Sequence, residues 1–259
     1  MHRSLIHILV SAALLAPAPL WAAGRLREET PKGSTDRYQL CTDLVREDAA
    51  AAYAQALAWK NGGAVADHCA ALALVQLKRY DEAAHTLDAL GGDVAIGDGA
   101  RRAQLLDQAG NVWLLARQPQ NASRSFSNAL ALKPRDANIL SDRARAAAMA
   151  KNWTGADADL SAALAQDGDR ADLLVLRASA RHALGRKPEA RADIDHALAI
   201  YPAYADALVE RGAMKYEGGD NAGARADWQL VLKTAPNTPA GDTARRYMAD
   251  IDAPAAAKP

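Results

Sequence analysis

The sequence predicts an all-α fold of stacked antiparallel helix pairs, from an alanine-rich, aromatic-poor composition and an internal repeat with a fixed step. Half of the 259 residues are hydrophobic, enough for a sizeable core, yet alanine supplies most of them and Phe occurs once. Alanine has the highest helix propensity and too small a side chain to fill a sheet sandwich, so this bias favours close-packed helices.

The repeat is legible column by column. Leu106, Leu140, Leu174 and Leu208 recur at one constant step, and the same step links Gly110, Ala144, Ala178 and Gly212. It also links Ala122, Ala156, Ala190 and Ala224, then Leu130, Leu164, Leu198 and Leu232, then Phe126, Leu160, Ile194 and Trp228. Pro134, Gly168, Pro202 and Pro236 close the units, because proline cannot continue a helix and glycine caps one. Within a unit a first helix (172–184, for example) leads through a short turn into a second (188–200), which Pro188 opens without losing a needed donor. The small residues lie where the two axes cross, and a larger one would cost ~1–3 kcal/mol by overpacking. The large residue later in the second helix fills the gap against the next unit.

These columns resemble the tetratricopeptide-repeat family, whose helix–turn–helix unit has small residues at these places and a closing proline. The resemblance implies a right-handed superhelical solenoid of antiparallel helix pairs. Four units match, 103–136, 137–170, 171–204 and 205–238, and a weaker one spans 64–97 with Ala71, Tyr80, Asp81, Glu82, Ala83 and Leu87 in phase. Residues 98–102 then read as an insertion, 38–63 as a helical region or degenerate half-repeat, and 239–252 as a C-terminal capping helix. A disordered tail is expected at 253–259. The aromatic residues usual in the first helix are thin: Trp113 holds one such place, while Arg181 and Lys215 hold equivalents.

Arg143 and Asp159, Arg177 and Asp193, and Arg211 and Asp227 share one spacing and one phase of the repeat. That spacing sets a guanidinium beside a carboxylate on the antiparallel partner helix, and its recurrence marks a structural pair rather than a row of catalytic acids and bases.

The chain opens with Met1, His2 and Arg3, an apolar run from Leu5 to Leu15, and small residues at Ala22 and Ala23. That is the pattern of a signal peptide over 1–23, cleaved after Ala22 or Ala23 and followed by a flexible linker over 24–37. The run is short of the ~20 apolar residues a membrane-spanning helix needs, and no cysteine stands at the cleavage zone to make a lipoprotein. The expected location is the periplasm or the exterior, without stable membrane insertion after cleavage. Cys41 and Cys69, an even count in an exported chain, predict a disulfide. Free buried thiols, or metal ligation with His68 and His85, are the alternatives. Zinc sites usually show paired ligands at close spacing, and only His68 and Cys69 are close.

Lysine plus arginine balances aspartate plus glutamate at 31 each, which offers no long-range field for nucleic acid or an anionic membrane. No nucleophile elbow, phosphate loop, dinucleotide fingerprint or metalloprotease signature occurs. The glycine- and aspartate-rich stretch at 91–99 lacks the regular carboxylates of a calcium loop and reads as a flexible inter-repeat loop. His182 and His196 share a unit without a nucleophile or third ligand. No catalytic residue, metal or cofactor is expected.

Binding is the remaining route. By the resemblance, first helices line a concave wall whose groove side carries Gln104, Asp107 and Asn111, then Asn138, Ser141 and Arg145. The next units add Asp172, Val175, Ser179 and His182, followed by Asp206, Val209 and Tyr216. The implied function is a non-enzymatic protein-interaction scaffold or adaptor of the cell envelope, holding a protein or peptide partner. The competing reading is a structural protein that self-associates through Trp228 and the terminal helix. Relatives that clamp a peptide's C-terminal carboxylate need a lysine one turn from an asparagine. Asp107 stands in that lysine's place beside Asn111, with Asp142 and Leu176 where other clamp residues would lie, so an acidic C-terminal tail is not the expected ligand.

Overall fold

The computed structural model describes residues 32–252, which hold thirteen α-helices and no strand and fall into two compact units, 32–150 and 151–252. The N-terminal unit contains α1 (Lys32–Glu47), α2 (Ala49–Ala58), α3 (Gly63–Gln76), α4 (Tyr80–Gly92), α5 (Gly99–Leu115), α6 (Pro119–Leu132) and α7 (Ala137–Met149). The C-terminal unit contains α8 (Trp153–Leu164), α9 (Ala171–Ala183), α10 (Lys187–Ile200), α11 (Ala205–Glu217), α12 (Asn221–Thr234) and α13 (Pro239–Asp252). Within each unit consecutive helices pack against each other, and α5 also touches α7 as α9 touches α11, so the first helices of neighbouring repeats lie side by side. The expected signal peptide and C-terminal tail lie outside the described residues.

Helix starts follow local chemistry. Asp48, Asp98, Asp136, Asn152 and Asp220 each accept a backbone N–H of the first turn they cap, and Pro119 and Pro188 open α6 and α10. The extra residues at 98–102 take helical form: Asp98 accepts from the Arg101 N–H at 2.9 Å, so α5 starts one turn early and runs for 17 residues where α7, α9 and α11 run for 13. Arg102 then closes α4 by donating to the Gly91 carbonyl at 3.1 Å. One expected boundary is corrected: of the expected flexible linker, residues 32–37 are the first turns of α1, and 24–31 lie outside the described residues. The helical region at 38–63 is two helices, broken where Asp48 caps α2.

The turn inside each hairpin has its own column. Lys78, Arg117, Lys151, Gly185 and Gly219 all adopt positive φ, between 58° and 86°. In four of these turns the next N–H reaches back into the last turn of the first helix: Arg79 to Leu74, Gln118 to Trp113, Arg186 to Arg181 and Asp220 to Lys215. Glycine relieves the strain of this conformation at 185 and 219 only.

The crossing of each hairpin matches small against large. A Cβ on Gly110 would stand 2.5 Å from Phe126 Cε1, and one on Gly212 would overlap the Trp228 indole. Phe126 and Trp228 are fully buried as a result. Trp228 stacks on Tyr247 of α13 with ring centroids 5.0 Å apart, and its Nε1 donates to the Val209 carbonyl at 3.2 Å. It is therefore core, which corrects the expectation that it serves as a self-association surface: α13 already covers it.

Cys41 of α1 and Cys69 of α3 form a disulfide, with Cα atoms 6.3 Å apart and both side chains fully buried among Val45, Ala52, Ala56, Ala70 and Ala73. Closing that 28-residue loop stabilises the N-terminal helices by ~3–4 kcal/mol in the chain-entropy model.

Candidate functional site

The side chains that the repeat register assigns to the groove project from α5, α7, α9 and α11, and burial sorts them. Gln104, Asn138 and Asp172 are exposed, while Asp107, Ser179, His182, Asp206 and Tyr216 are half-buried. Val175 and Val209 are 3% and 6% exposed and belong to the core rather than to an open wall, because aliphatic side chains at this register are drawn between neighbouring helices. Asn111, Ser141 and Arg145 are buried too, and Asn111 and Arg145 belong to a polar cluster.

That cluster joins α5 to α7. Asn111 Nδ2 donates to Asp142 Oδ2 at 3.0 Å and to the Asp107 carbonyl one turn back at 3.1 Å. Arg145 Nη1 donates to Asp142 Oδ1 at 2.8 Å. Asp142 is thus the hub, although the sequence suggested it only as a vacant clamp position. Asp107 is pushed up to about 8, chiefly by burial and then by repulsion from Asp142 and Asp136, with Arg145 and Lys133 pulling the other way.

The C-terminal unit has a counterpart between α9 and α11. Glu210 is 5% exposed, and burial pushes its carboxyl up to about 8 against the opposing hydrogen bond from Ser179, with Asp206 and Glu217 adding repulsion. Ser179 Oγ donates to the Val175 carbonyl at 3.2 Å. Nearby, His182 Nε2 and Lys187 Nζ both meet Glu217 Oε2, at 2.9 and 3.1 Å. Asp206 is raised by burial, whereas Asp172 is held below its usual range by a bidentate Arg170 that outweighs burial. Tyr216 tilts against Trp228 at 6.1 Å. Glu210 escaped the sequence reading. Its signal was the repeat phase it shares with Gln108 and Asp142, a polar column that Leu176 interrupts.

Two of the predicted arginine–aspartate pairs form inside the C-terminal unit. Arg177 and Asp193 meet at 2.7 and 3.0 Å, and Arg211 and Asp227 at 2.8 and 3.0 Å. Arg143 and Asp159, the third pair, belong to different units, and Arg143 Nη1 donates to Ser127 Oγ at 3.2 Å. Arg181 and Lys215, which stand where the family has rings, supply second cations: Arg181 bridges Asp193 and Asp157, and Lys215 reaches Asp227 at 2.8 Å.

His68 is a core histidine, not a ligand. Its Nε2 lies 2.8 Å from Gln108 Oε1 and its Nδ1 2.7 Å from the Tyr38 hydroxyl, so a neutral ring with its proton on Nε2 satisfies both nitrogens. Burial lowers its pKa in agreement with that state. His85 stands edge-on to Trp113 at 4.8 Å. Among the described residues no group of three or more His, Cys, Asp or Glu is placed to hold a metal ion.

No family model matches the chain, and no curated protein does. Solved structures are similar in fold. PilW, a widely conserved type IV pilus biogenesis factor, superposes with a TM-score of 0.63 at 18% identity, over 85% of this chain and 100% of its own. A thermophilic tetratricopeptide-repeat protein of Thermus thermophilus gives 0.57 at 17% identity, over 74% and 100%. YrrB, a tetratricopeptide-repeat protein with an unusual peptide-binding site, gives 0.54 at 16%, over 76% and 97%.

Proposed function

The protein has the tetratricopeptide-repeat fold, an all-α solenoid of helix pairs, and on that premise we propose that it is a non-enzymatic protein-interaction scaffold of the cell envelope. It holds an extended peptide or helix of another protein against the first helices of its repeats. One observation carries this reading: polar side chains of adjacent first helices meet across the helix boundary, Asn111 of α5 with Asp142 of α7 and His182 of α9 with Glu217 of α11. Side chains locked in this way form a polar wall that loses little freedom on binding. The same fold carries a peptide-binding site in YrrB and serves type IV pilus biogenesis in PilW.

The envelope location rests on the leader-like pattern at 1–23 and on the buried Cys41–Cys69 bridge, since disulfides persist in oxidising compartments. No helix among the described residues is long and apolar enough to cross a membrane.

Site-specific photocrosslinking in the native envelope tests the reading. A crosslinker at Gln104, Asn138 or Asp172, all exposed on first helices, captures a second protein, and one at Asn128, exposed on α6, captures none. Capture confined to Asn128 would move the site off this face. Capture of further copies of this chain alone would replace the scaffold by a self-assembling protein.

A further inference from the structure

Among the described residues three buried side-chain polar atoms have no hydrogen-bond partner: Asp107 Oδ1, Asn111 Oδ1 and Glu210 Oε2. All three are oxygens, and all three lie on first helices, α5 and α11. Elsewhere the interior matches its acceptors. Asp88, for example, takes the Trp113 indole N–H at 2.8 Å and the Ser125 hydroxyl at 2.6 Å. Asn111 and Glu210 are 6% and 5% exposed, so their orphaned oxygens are buried without a donor from the chain. Asp107 and Asn111 are one turn apart and share a face of α5. The guanidinium that acts on Asp107, that of Arg145, is bonded to Asp142.

Acceptors that lack donors select a guest that brings donors. An ammonium carries three and a guanidinium five, and neither carries an acceptor. An acidic segment would add acceptors beside Asp107 and negative charge opposite Asp136 and Asp142. We propose that the α5–α7 face is a receptor for a cationic side chain, lysine or arginine, of a basic peptide segment, with Asp107 and Asn111 as its acceptors. In the C-terminal unit Glu210 receives a second such group. Asp107 is half-buried, and rotation about χ2, a soft torsion in aspartate, turns Oδ1 toward the guest. Because Asp107 is pushed up to about 8 it holds a proton at neutral pH, and the arriving cation sends that proton to the buffer. The assignment rests on the scaffold reading and narrows its partner to a basic one.

The full chain is titrated with four fluorescent pools of short peptides. Each pool fixes one central residue, lysine, arginine, norleucine or glutamate, among randomised uncharged positions. The lysine and arginine pools bind about tenfold or more tighter than the norleucine pool, and the glutamate pool binds weakest. Calorimetry at pH 7 in Tris and in phosphate detects proton release on binding the lysine pool. In a variant carrying Asp107→Asn and Glu210→Gln, near-isosteric changes, the lysine-to-norleucine ratio falls toward one and the proton release disappears. A norleucine pool that binds as tightly as lysine overturns this inference and leaves the scaffold reading standing, and so does tightest binding by glutamate. Binding by none of the pools overturns both. If the double variant does not fold, the pool ratio and proton release of the unaltered chain decide alone.

Discussion

Asp227 of α12 and Asp107 of α5 are both aspartates drawn into helix interfaces, and their surroundings differ in one respect, the supply of donors. Asp227 receives both branches of Arg211 and the ammonium of Lys215. Burial works to raise its carboxyl, but these cations hold it below the usual carboxylate range. Asp107 has Asp142 and Asp136 for neighbours, Arg145 serves Asp142, and the carboxyl rises to about 8 with one oxygen orphaned. Burial alone therefore does not decide what an acidic residue does here. A fully matched carboxylate welds two helices of one repeat, and an unmatched one is left to meet something the chain does not supply.

The contrast breaks most visibly on substitution. Asp227→Ala leaves Arg211 and Lys215 without their counter-charge and lowers stability by about 2–4 kcal/mol in urea unfolding, less than for a wholly buried pair because both cations keep some water. A loss below about 0.5 kcal/mol would show that the pair is ornamental.

The pH dependence separates the two residues by sign. Between its unfolded value, near 4, and its folded value, about 8, Asp107 binds more proton in the folded state, so its contribution lowers stability as pH rises through that window. Asp107→Asn leaves stability at pH 4 unchanged and raises it at pH 8 by about 1–3 kcal/mol, while the similar slope from Glu210 remains. Asp227, held low, contributes stability that is present above about pH 4 and is lost as pH falls through its depressed value. The Asp227→Ala deficit therefore shrinks in acid. Melts at pH 3, 5 and 8 check both, and parallel pH profiles for the two variants would erase the distinction.

The smallest effect belongs to a pair that is neither buried nor orphaned. Arg79 and Glu82 meet at 2.6 Å but are 42% and 55% exposed, and Arg79→Ala shifts the urea midpoint least of the three substitutions.

What was legible in the sequence stays within one hairpin. The repeat columns place Gly110 against Phe126 and Gly212 against Trp228. The constant arginine-to-aspartate spacing finds Arg177–Asp193 and Arg211–Asp227, both inside single hairpins. The hairpin turn was half-visible: Gly185 and Gly219 announce it, whereas Lys78, Arg117 and Lys151 take the same left-handed backbone with no residue to mark it. Contacts between hairpins were hidden. Arg181 of α9 reaches Asp157 of α8, and Asn111 of α5 reaches Asp142 of α7, at separations that no period encodes. The insertion at 98–102 was visible as a break in the period, but its form was not, because the Asp98 N-cap turns it into one more helical turn.

The sequence by itself determined the all-α class, the repeat register and the small-against-large crossings, because apolar periodicity and turn chemistry act along a few neighbouring residues of one chain. Only the tertiary structure decided which polar groups on those helices are matched and which are not. A hydrogen bond depends on donors that arrive from another helix, and burial depends on what packs above, so Asp227 and Asp107 can be the same residue in the sequence and opposite in role.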